Sequence, residues 1–311
     1  MERKFKKIKS GINKIILLLI FIISFGLMYD IILAPISVSS EQEIFPSEEK
    51  IISSENLRSS NAILIRLNDD TTLMRKNSEE KTYPASLTKM MTAIIAIERL
   101  PNLNQEIELT HETFTDLYNA NASLAGFVTG EKIEAIDLLY AVLLPSGAEA
   151  CIGIADYVAG SEEEFVKLMN EKALNLGMSN TNFSNSTGLQ HENHYTTVED
   201  MGKLLSYSMK NEIFHRIFTS SRHSTRPTNK HPDGITFHST MFEKLRAIDM
   251  GNSNIIGGKT GYTQEAGLCL ASVAQKDGME YILITTGANG DQYSEQYNIL
   301  DALTIYSEIG K

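Results

Sequence analysis

The chain has 311 residues, a formal net charge of −11 and two cysteines. Outside residues 1–14, which carry six basic side chains and one acidic one, 22 basic residues stand against 38 acidic residues. A chain this acidic lacks the basic surface that binds nucleic-acid phosphates, so nucleic-acid binding is excluded. Two cysteines are too few for a zinc framework, and the apolar runs around Cys151 and Cys269 favour two buried thiols over a disulfide.

The N-terminus has the pattern of a secretory signal or a membrane anchor. The basic residues 1–14 precede an apolar stretch, residues 15–34, that only Asp30 interrupts. About 20 apolar residues can span a bilayer, and a basic flank keeps its own end in the cytoplasm. No Ala-x-Ala cleavage pattern follows. We therefore expect residues 1–34 to form an uncleaved anchor at the cell membrane, with the rest of the chain extracytoplasmic; cleavage would give a secreted protein.

A linker and one globular domain are predicted after the anchor. Residues 35–60 are rich in serine and glutamate and poor in aromatic residues, which is typical of a solvated linker. Residues 61–311 have a globular composition and enough length for one large core with two lobes.

The first predicted elements of this domain are a β-hairpin and three helices. Apolar residues 62–67 and the segment 71–74 flank the polar turn Asn68-Asp69-Asp70. A mostly buried helix is expected to start at Ser86, after the extended Tyr83-Pro84-Ala85, and to end before Pro101. Further helices are predicted over residues 133–144 and 148–158.

The second half continues with helices and then changes to strands. Capping boxes at Ser161–Glu164 and Thr196–Glu199 predict two helix starts. Closely spaced strands, expected to pair antiparallel, and a last amphipathic helix complete the pattern. These strands are predicted over residues 255–263, 267–274 and 281–287, and the helix over residues 296–309. The order predicts an α+β fold: an antiparallel sheet flanked by helices, with a helical lobe inserted.

Ser86 and Lys89 are the strongest candidate for a nucleophile with its own base. Ser-x-x-Lys occurs three times, but only at Ser86 does a strongly apolar helix follow. Residues i and i+3 share a helix face, so Lys89 lies beside the Ser86 hydroxyl. A buried lysine tends to lose its proton, which suits it to accept the proton of the serine. Without a partner motif, Ser86 could equally be a helix N-cap.

Two later stretches favour the catalytic interpretation. Ser146-Gly147-Ala148 interrupts two predicted helices, and Lys259-Thr260-Gly261 lies on a predicted strand rich in glycine. Glycine lets a substrate or another backbone approach closely, while lysine and threonine can bind a carboxylate. The three motifs in this order predict a serine acyl-transfer enzyme.

At this point the chain resembles the serine D-alanyl-D-alanine carboxypeptidases, the low-molecular-mass penicillin-binding proteins. The resemblance covers roughly residues 60–290 and implies the penicillin-binding-protein/β-lactamase-like transpeptidase fold. The matching stretches are Tyr83–Thr92, Leu143–Gly147, Leu168–Ala173, Asn182–Asn185, Gly188-Leu189, His194–Thr197 and Gly258–Thr263.

The resemblance also implies roles for individual residues. Ser86 would attack the carbonyl between the two terminal D-alanines, Lys89 would act as its base, and Ser146 would relay the proton to the leaving D-alanine. Lys259 and Thr260, in the Lys259-Thr260-Gly261 triplet, would hold the terminal carboxylate. The backbone N–H groups of Ser86 and Tyr262 would form the oxyanion hole. No cofactor and no metal ion is expected.

One position departs from the family pattern. The second motif usually reads Ser-x-Asn, and here Ala148 occupies the third place. Alanine cannot hydrogen-bond the substrate or the catalytic lysine. A weakly catalytic or non-catalytic penicillin-binding sensor is therefore one alternative function.

Two other enzymatic alternatives are weaker. A β-lactamase needs a glutamate for deacylation, and Glu171-Lys-Ala-Leu-Asn175 imitates such a motif, but it lies inside a predicted scaffold helix. A zinc carboxypeptidase could use His191-Glu-Asn-His194, but this loop-like stretch lacks the helical His-Glu-x-x-His spacing, and its histidines are expected to be solvated.

The expected partners follow from the resemblance. They are a peptidoglycan pentapeptide or its lipid-linked precursor as substrate, β-lactam antibiotics as inhibitors, and the membrane through the N-terminal segment. Trimming the terminal D-alanine would serve cell-wall and cell-shape control or resistance to glycopeptide antibiotics, and the sequence does not separate these roles.

Overall fold

The computed structural model describes residues 52–115, 117, 120–248 and 254–311. The chain divides into two compact units, residues 1–49 and 50–311, and all described residues belong to the second. The predicted anchor, residues 1–34, lies outside the described residues. Within the described part, no helix has both the length and the hydropathy of a membrane span.

A five-stranded antiparallel sheet forms the centre of this unit, in the order β2-β1-β9-β8-β7. Two small two-stranded sheets, β3–β4 and β5–β6, accompany it. The strands are β1 (Asn61–Arg66), β2 (Thr71–Lys76), β3 (Glu106–Leu109), β4 (Glu131–Glu134), β5 (Arg222–Ser224), β6 (Thr236–His238), β7 (Ile255–Thr263), β8 (Gly267–Lys276) and β9 (Met279–Ala288). Because β1 pairs with β9, the first and last strands of the unit meet in one sheet.

The helices cover both faces of the sheet. They are α1 (Lys89–Arg99), α2 (Ala135–Leu143), α3 (Ala148–Ala159), α4 (Glu162–Asn175), α5 (Val198–Met209), α6 (Glu212–Phe218), α7 (Thr240–Ala247) and α8 (Tyr297–Glu308). On β1, Ile63 and Ile65 pack into the core of helices α1–α6, while Ala62 and Leu64 pack into the opposite core with α7 and α8. Side chains alternate between the faces of a strand, so a continuous apolar run is what a strand buried on both faces requires.

Most of the elements predicted from the sequence are confirmed: the first hairpin, the helix from residue 148, the three C-terminal strands and the last helix. The capping box at Ser161 is also confirmed, since its hydroxyl accepts the Glu164 N–H at 3.2 Å. Both cysteines are buried free thiols, as expected.

Three boundaries were predicted wrongly. Ser86 lies in a 3₁₀ turn, Ala85–Thr88, and the α-helix begins only at Lys89. Residues 133 and 134, predicted to start the second helix, belong to β4, because a charged four-residue strand carries too little periodicity to be recognised. The second helix cap is Thr197, one residue later than expected, and its hydroxyl accepts the Asp200 N–H.

The described part of the predicted linker packs onto the globular unit. Ile52 and Leu57 are buried in the core beside α8. The Ser59 N–H and hydroxyl both donate to one carboxylate oxygen of Asp301, at 2.7 and 2.6 Å. Residues 52–60 therefore belong to the folded unit and not to a solvated linker.

Candidate active site

Ser86 and Lys89 meet where the 3₁₀ turn passes into α1. Lys89 Nζ lies 3.2 Å from Ser86 Oγ. The turn is sharp because Ala85 has a φ of +46°, in the left-handed region that alanine rarely adopts. Gly188 packs directly on it: a Cβ at residue 188 would lie 1.9 Å from the Ala85 carbonyl oxygen. The close approach of these two segments thus fixes the position of Ser86.

A second contact of Lys89 Nζ is the carbonyl oxygen of Thr187, to which it donates a hydrogen bond. Two side chains shape this loop. The amide oxygen of Asn185 accepts the N–H groups of Thr187 and Gly188. The Glu162 carboxylate accepts the Ser186 N–H and hydroxyl at 2.8 and 2.7 Å. The carbonyl that holds Lys89 is therefore itself held by two neighbouring elements.

Burial lowers the pKa of Lys89. Its side chain is almost fully buried, and the loss of solvation disfavours its charged ammonium form. The carboxylates of Glu149 and Glu162 oppose this shift from a distance. A lysine with a lowered pKa provides the neutral amine that a general base requires.

Ser146 and Lys259 form a second serine–lysine pair. Lys259 Nζ lies 2.9 Å from Ser146 Oγ and also donates to the Thr260 carbonyl oxygen at 2.8 Å. Lys259 is fully buried, and burial together with the positive charge of Lys89 places its pKa well below the usual value. Ser146 has a φ of +71°, a strained conformation for a serine. Lys259 lies on β7, the strand that also packs Gly261 against the Ser86 backbone nitrogen, so the two pairs share one site.

Strand β7 brings the glycine-rich motif against Ser86. A Cβ at Gly261 would lie 3.1 Å from the Ser86 backbone nitrogen, so glycine keeps this N–H uncovered. Thr260 Oγ1 forms a 2.7 Å hydrogen bond with Thr240 Oγ1, and the Tyr262 side chain is exposed. All seven candidate site residues thus lie on the 3₁₀ turn and α1, on the α2–α3 break, or on β7.

His194 is part of the support of the site, which the sequence interpretation missed. Its Nδ1 accepts the Ser184 N–H at 2.9 Å, so its proton is on Nε2, which donates to Thr88 Oγ1 at 2.7 Å. Burial lowers the pKa of His194 to about 4, so the ring is neutral near pH 7. The expectation of a solvated loop histidine was wrong here, because His194 is buried against Thr88 of the 3₁₀ turn.

The two alternative enzyme motifs are placed apart from this chemistry. Both ring nitrogens of His194 are engaged with protein groups and have no lone pair left for a metal ion. Within the described residues, no group of three or more potential metal ligands comes together. Glu171 is exposed on α4, so that motif is a scaffold helix, as predicted.

The fold and the two serine–lysine pairs, each with a buried lysine, define a protein of the serine–lysine acyl-transfer class. The family model of peptidase S11, the D-alanyl-D-alanine carboxypeptidases, matches residues 48–290. The chain belongs to this family.

Curated relatives agree with this assignment. The chain is 32% identical over 230 residues to the D-alanyl-D-alanine carboxypeptidase DacF of Bacillus subtilis, a match that covers 73% of this chain and 57% of the relative. It is 31% identical to a D-alanyl-D-alanine carboxypeptidase of Streptomyces sp. (strain K15), a match that covers 68% of this chain and 75% of that relative. Compared with DacF, the chain therefore spans little more than half of its relative's length.

Solved structures agree on the fold. The crystal structure of the Streptomyces K15 DD-transpeptidase superposes with a TM-score of 0.73 at 25% identity, covering 82% of this chain and 98% of that one. A D-alanyl-D-alanine carboxypeptidase from Mycobacterium tuberculosis has a TM-score of 0.70 at 22% identity, a similarity of fold. The predicted α+β, penicillin-binding-protein-like architecture is confirmed.

Proposed function

We propose that this protein is a penicillin-sensitive D-alanyl-D-alanine carboxypeptidase that removes the terminal D-alanine from peptidoglycan pentapeptide stems through a Ser86 acyl-enzyme. The observation that carries the proposal is the 3.2 Å contact between Nζ of the buried Lys89 and Oγ of the half-buried Ser86. Membership of the peptidase S11 family and the named activity of the relatives support it.

In the acylation step, Lys89 takes the hydroxyl proton of Ser86. The lowered pKa of Lys89 supplies the neutral amine, and the Thr187 carbonyl orients it by accepting one of its N–H groups. Ser86 Oγ then bonds to the carbonyl carbon between the two terminal D-alanines, and the carbonyl oxygen becomes an oxyanion.

The backbone N–H groups of Ser86 and Tyr262 would stabilise this oxyanion. The missing side chain at Gly261 supports this assignment, since any Cβ there would crowd the Ser86 nitrogen. Lys259 and Thr260 would bind the terminal carboxylate of the substrate. An arriving carboxylate also favours the protonated form of Lys259, against the effect of its burial.

The leaving group requires a proton when the C–N bond breaks. Ser146 Oγ, which is hydrogen-bonded to Lys259 Nζ, would pass the proton from Lys89 to the amine of the departing D-alanine. A water molecule then attacks the ester, the shortened stem leaves, and Ser86 regains its proton.

The substrate could be the lipid-linked precursor or mature peptidoglycan, since both end in D-Ala-D-Ala. We further propose that residues 1–34 hold the protein at the membrane with the catalytic unit outside the cytoplasm. The basic flank and apolar stretch of the sequence support this location.

The test is D-alanine release from a pentapeptide ending in D-Ala-D-Ala, with and without benzylpenicillin, using the full chain. Release by the wild type and its block by penicillin are expected. Ser86→Ala should abolish both release and labelling by a fluorescent penicillin. Ser78→Ala is the matched control, because Ser78 and Lys81 form another Ser-x-x-Lys and should be dispensable. Release by Ser86→Ala would refute Ser86 as the nucleophile.

A penicillin-binding sensor is the second candidate function, favoured by Ala148. This residue is buried at the start of α3, and its side chain offers no hydrogen bond where the family pattern has an asparagine. Covalent labelling of Ser86 without D-alanine release would support the sensor and overturn the carboxypeptidase.

A further inference from the structure

A buried carboxylate lies immediately after the Ser146-Gly147-Ala148 motif. Glu149 is in the first turn of α3 and has no exposed surface. A fully buried glutamate is rare without an ionic partner, and Glu149 has no salt bridge within the described residues. Its burial must therefore be balanced by hydrogen bonds.

Those hydrogen bonds come from three consecutive backbone N–H groups. Glu149 Oε1 accepts the N–H of Ala125 at 2.7 Å, of Gly126 at 2.9 Å and of Phe127 at 3.4 Å. Such a run of converging N–H groups favours an anionic oxygen. Glu149 Oε2 is buried and has no hydrogen-bond partner among the described residues. Burial accordingly raises the pKa of Glu149, while the backbone N–H groups oppose the shift.

The segment that Glu149 holds, loop 123–127, packs against the motif itself. The Ala148 N–H donates to the Ser123 carbonyl oxygen at 2.8 Å. A Cβ at Gly147 would lie 2.8 Å from the Ala125 Cβ and 3.1 Å from Glu149 Oε2. Loop 123–127, the Glu149 carboxylate and the backbone of Gly147 thus pack against one another. Glycine at position 147 allows this close packing because it has no side chain.

Ser146 needs such support because its backbone is strained. A serine at a φ of +71° persists only when the surrounding structure over-determines it. An asparagine at position 148 could have tied this turn to the site with its side chain, and Ala148 cannot. The turn is held by the 2.8 Å hydrogen bond from the Gly147 N–H to the Ala141 carbonyl oxygen, by the contact of Ser146 Oγ with Lys259 Nζ, and by Glu149 with its loop.

We propose that Glu149 is a positioning residue: by holding loop 123–127 it fixes the strained backbone of Ser146, and so the place of the Ser146 hydroxyl. The inference rests on the proposed function, since it takes Ser146 as part of the proton path. Glu149 acts through its hydrogen-bond acceptor and does not contact the substrate.

The experiment uses the full chain with Glu149→Gln, Glu149→Ala and the control Glu131→Ala. Gln keeps the side-chain oxygen that accepts the three N–H groups but removes the charge. Glu131 is equally buried, and its carboxylate accepts the Val128 N–H and the Thr228 hydroxyl and pairs with His231. Three quantities are measured for each: the acylation rate with a fluorescent penicillin, the melting temperature, and amide hydrogen exchange over loop 123–127.

We expect Glu149→Ala to slow acylation by about tenfold or more and to speed the exchange of the 125–127 amides. Glu149→Gln should acylate within about threefold of wild type, a rescue that a role of the charge would not allow. Glu131→Ala should lower the melting temperature but keep the wild-type acylation rate. If Glu149→Ala does not fold, Glu149→Asp replaces it, because its shorter side chain cannot reach all three N–H groups.

Wild-type acylation by Glu149→Ala, or by Glu149→Asp in its place, would overturn the proposal. So would equal losses in the Gln and Ala variants, or unchanged exchange of the 125–127 amides. A wild-type protein that penicillin does not label at Ser86 would instead refute the proposed function. In that case the amide exchange still decides whether Glu149 holds the loop.

Discussion

Lys259 Nζ lies 2.9 Å from Ser146 Oγ, although the two residues are 113 positions apart in the chain. Lys259 is fully buried, and its pKa lies well below the usual value because burial and the positive charge of Lys89 both disfavour its protonation. Two lysines that share one buried site are not readily protonated together. An anionic substrate changes this balance, because its carboxylate stabilises a proton on Lys259 while Lys89 remains the base.

Replacing Ser146 by alanine should interrupt the proton path without unfolding the protein. We expect Ser146→Ala to slow acylation by a fluorescent penicillin about 100-fold, the usual size of one general acid–base contribution. The control is Ser208→Ala, at another buried serine, whose hydroxyl has no hydrogen-bond partner among the described residues. That variant should acylate at the wild-type rate. Wild-type acylation by Ser146→Ala would show that the proton takes another route.

The pH dependence of acylation should reveal the lowered pKa of Lys89. Only neutral Lys89 can accept the serine proton, so the rate falls as the pH falls through its pKa and reaches a plateau above it. Since burial lowers this pKa, the plateau should begin below the ordinary range of lysine, about 10.4. Penicillin acylation rates measured between about pH 5 and pH 10 test this. A rate that rises only in the ordinary lysine range would contradict the effect of burial.

Side-chain patterns predicted most of the site but not its supports. Ser86, Lys89, Ser146 and Lys259 were found because their residue types and order carry the signal. The Thr187 carbonyl, which holds Lys89, is a backbone group and leaves no mark in the sequence. The sequence indicates the close packing of this loop on Ala85 only indirectly, through the glycine at position 188.

Short elements were missed for a related reason. Strands β3 to β6 have three or four residues each, too few for an alternating pattern, and tertiary pairing forms them. The β1–β2 hairpin was recognisable from its apolar run beside a polar turn, and α8 from its longer amphipathic pattern. The burial of Glu149 and its three N–H donors were not predicted, because neither follows from its position beside Ala148.

Gly188→Ala should disrupt the site, whereas Gly278→Ala should not. Both glycines have positive φ, +83° and +76°, so alanine is strained at either. A Cβ at residue 188 would also collide with the Ala85 carbonyl, while nothing lies within 4 Å of one at residue 278. We expect Gly188→Ala to cost about 3 kcal/mol or more and to abolish acylation, and Gly278→Ala to cost about 1 kcal/mol. Chemical denaturation and penicillin labelling measure both, and equal costs would contradict the close packing on Ala85.

His194 should make the folded state sensitive to acid. Burial lowers its pKa from 6.5 to about 4, so between these values the unfolded chain binds a proton that the folded protein does not. The neutral His194 therefore contributes up to about 3 kcal/mol to the free energy of unfolding above pH 6.5. This contribution is lost as the pH falls to about 4. His194→Gln should flatten the pH dependence of the free energy of unfolding in this window, at some cost in overall stability. Equal slopes for wild type and His194→Gln would mean that His194 is protonated in the folded protein.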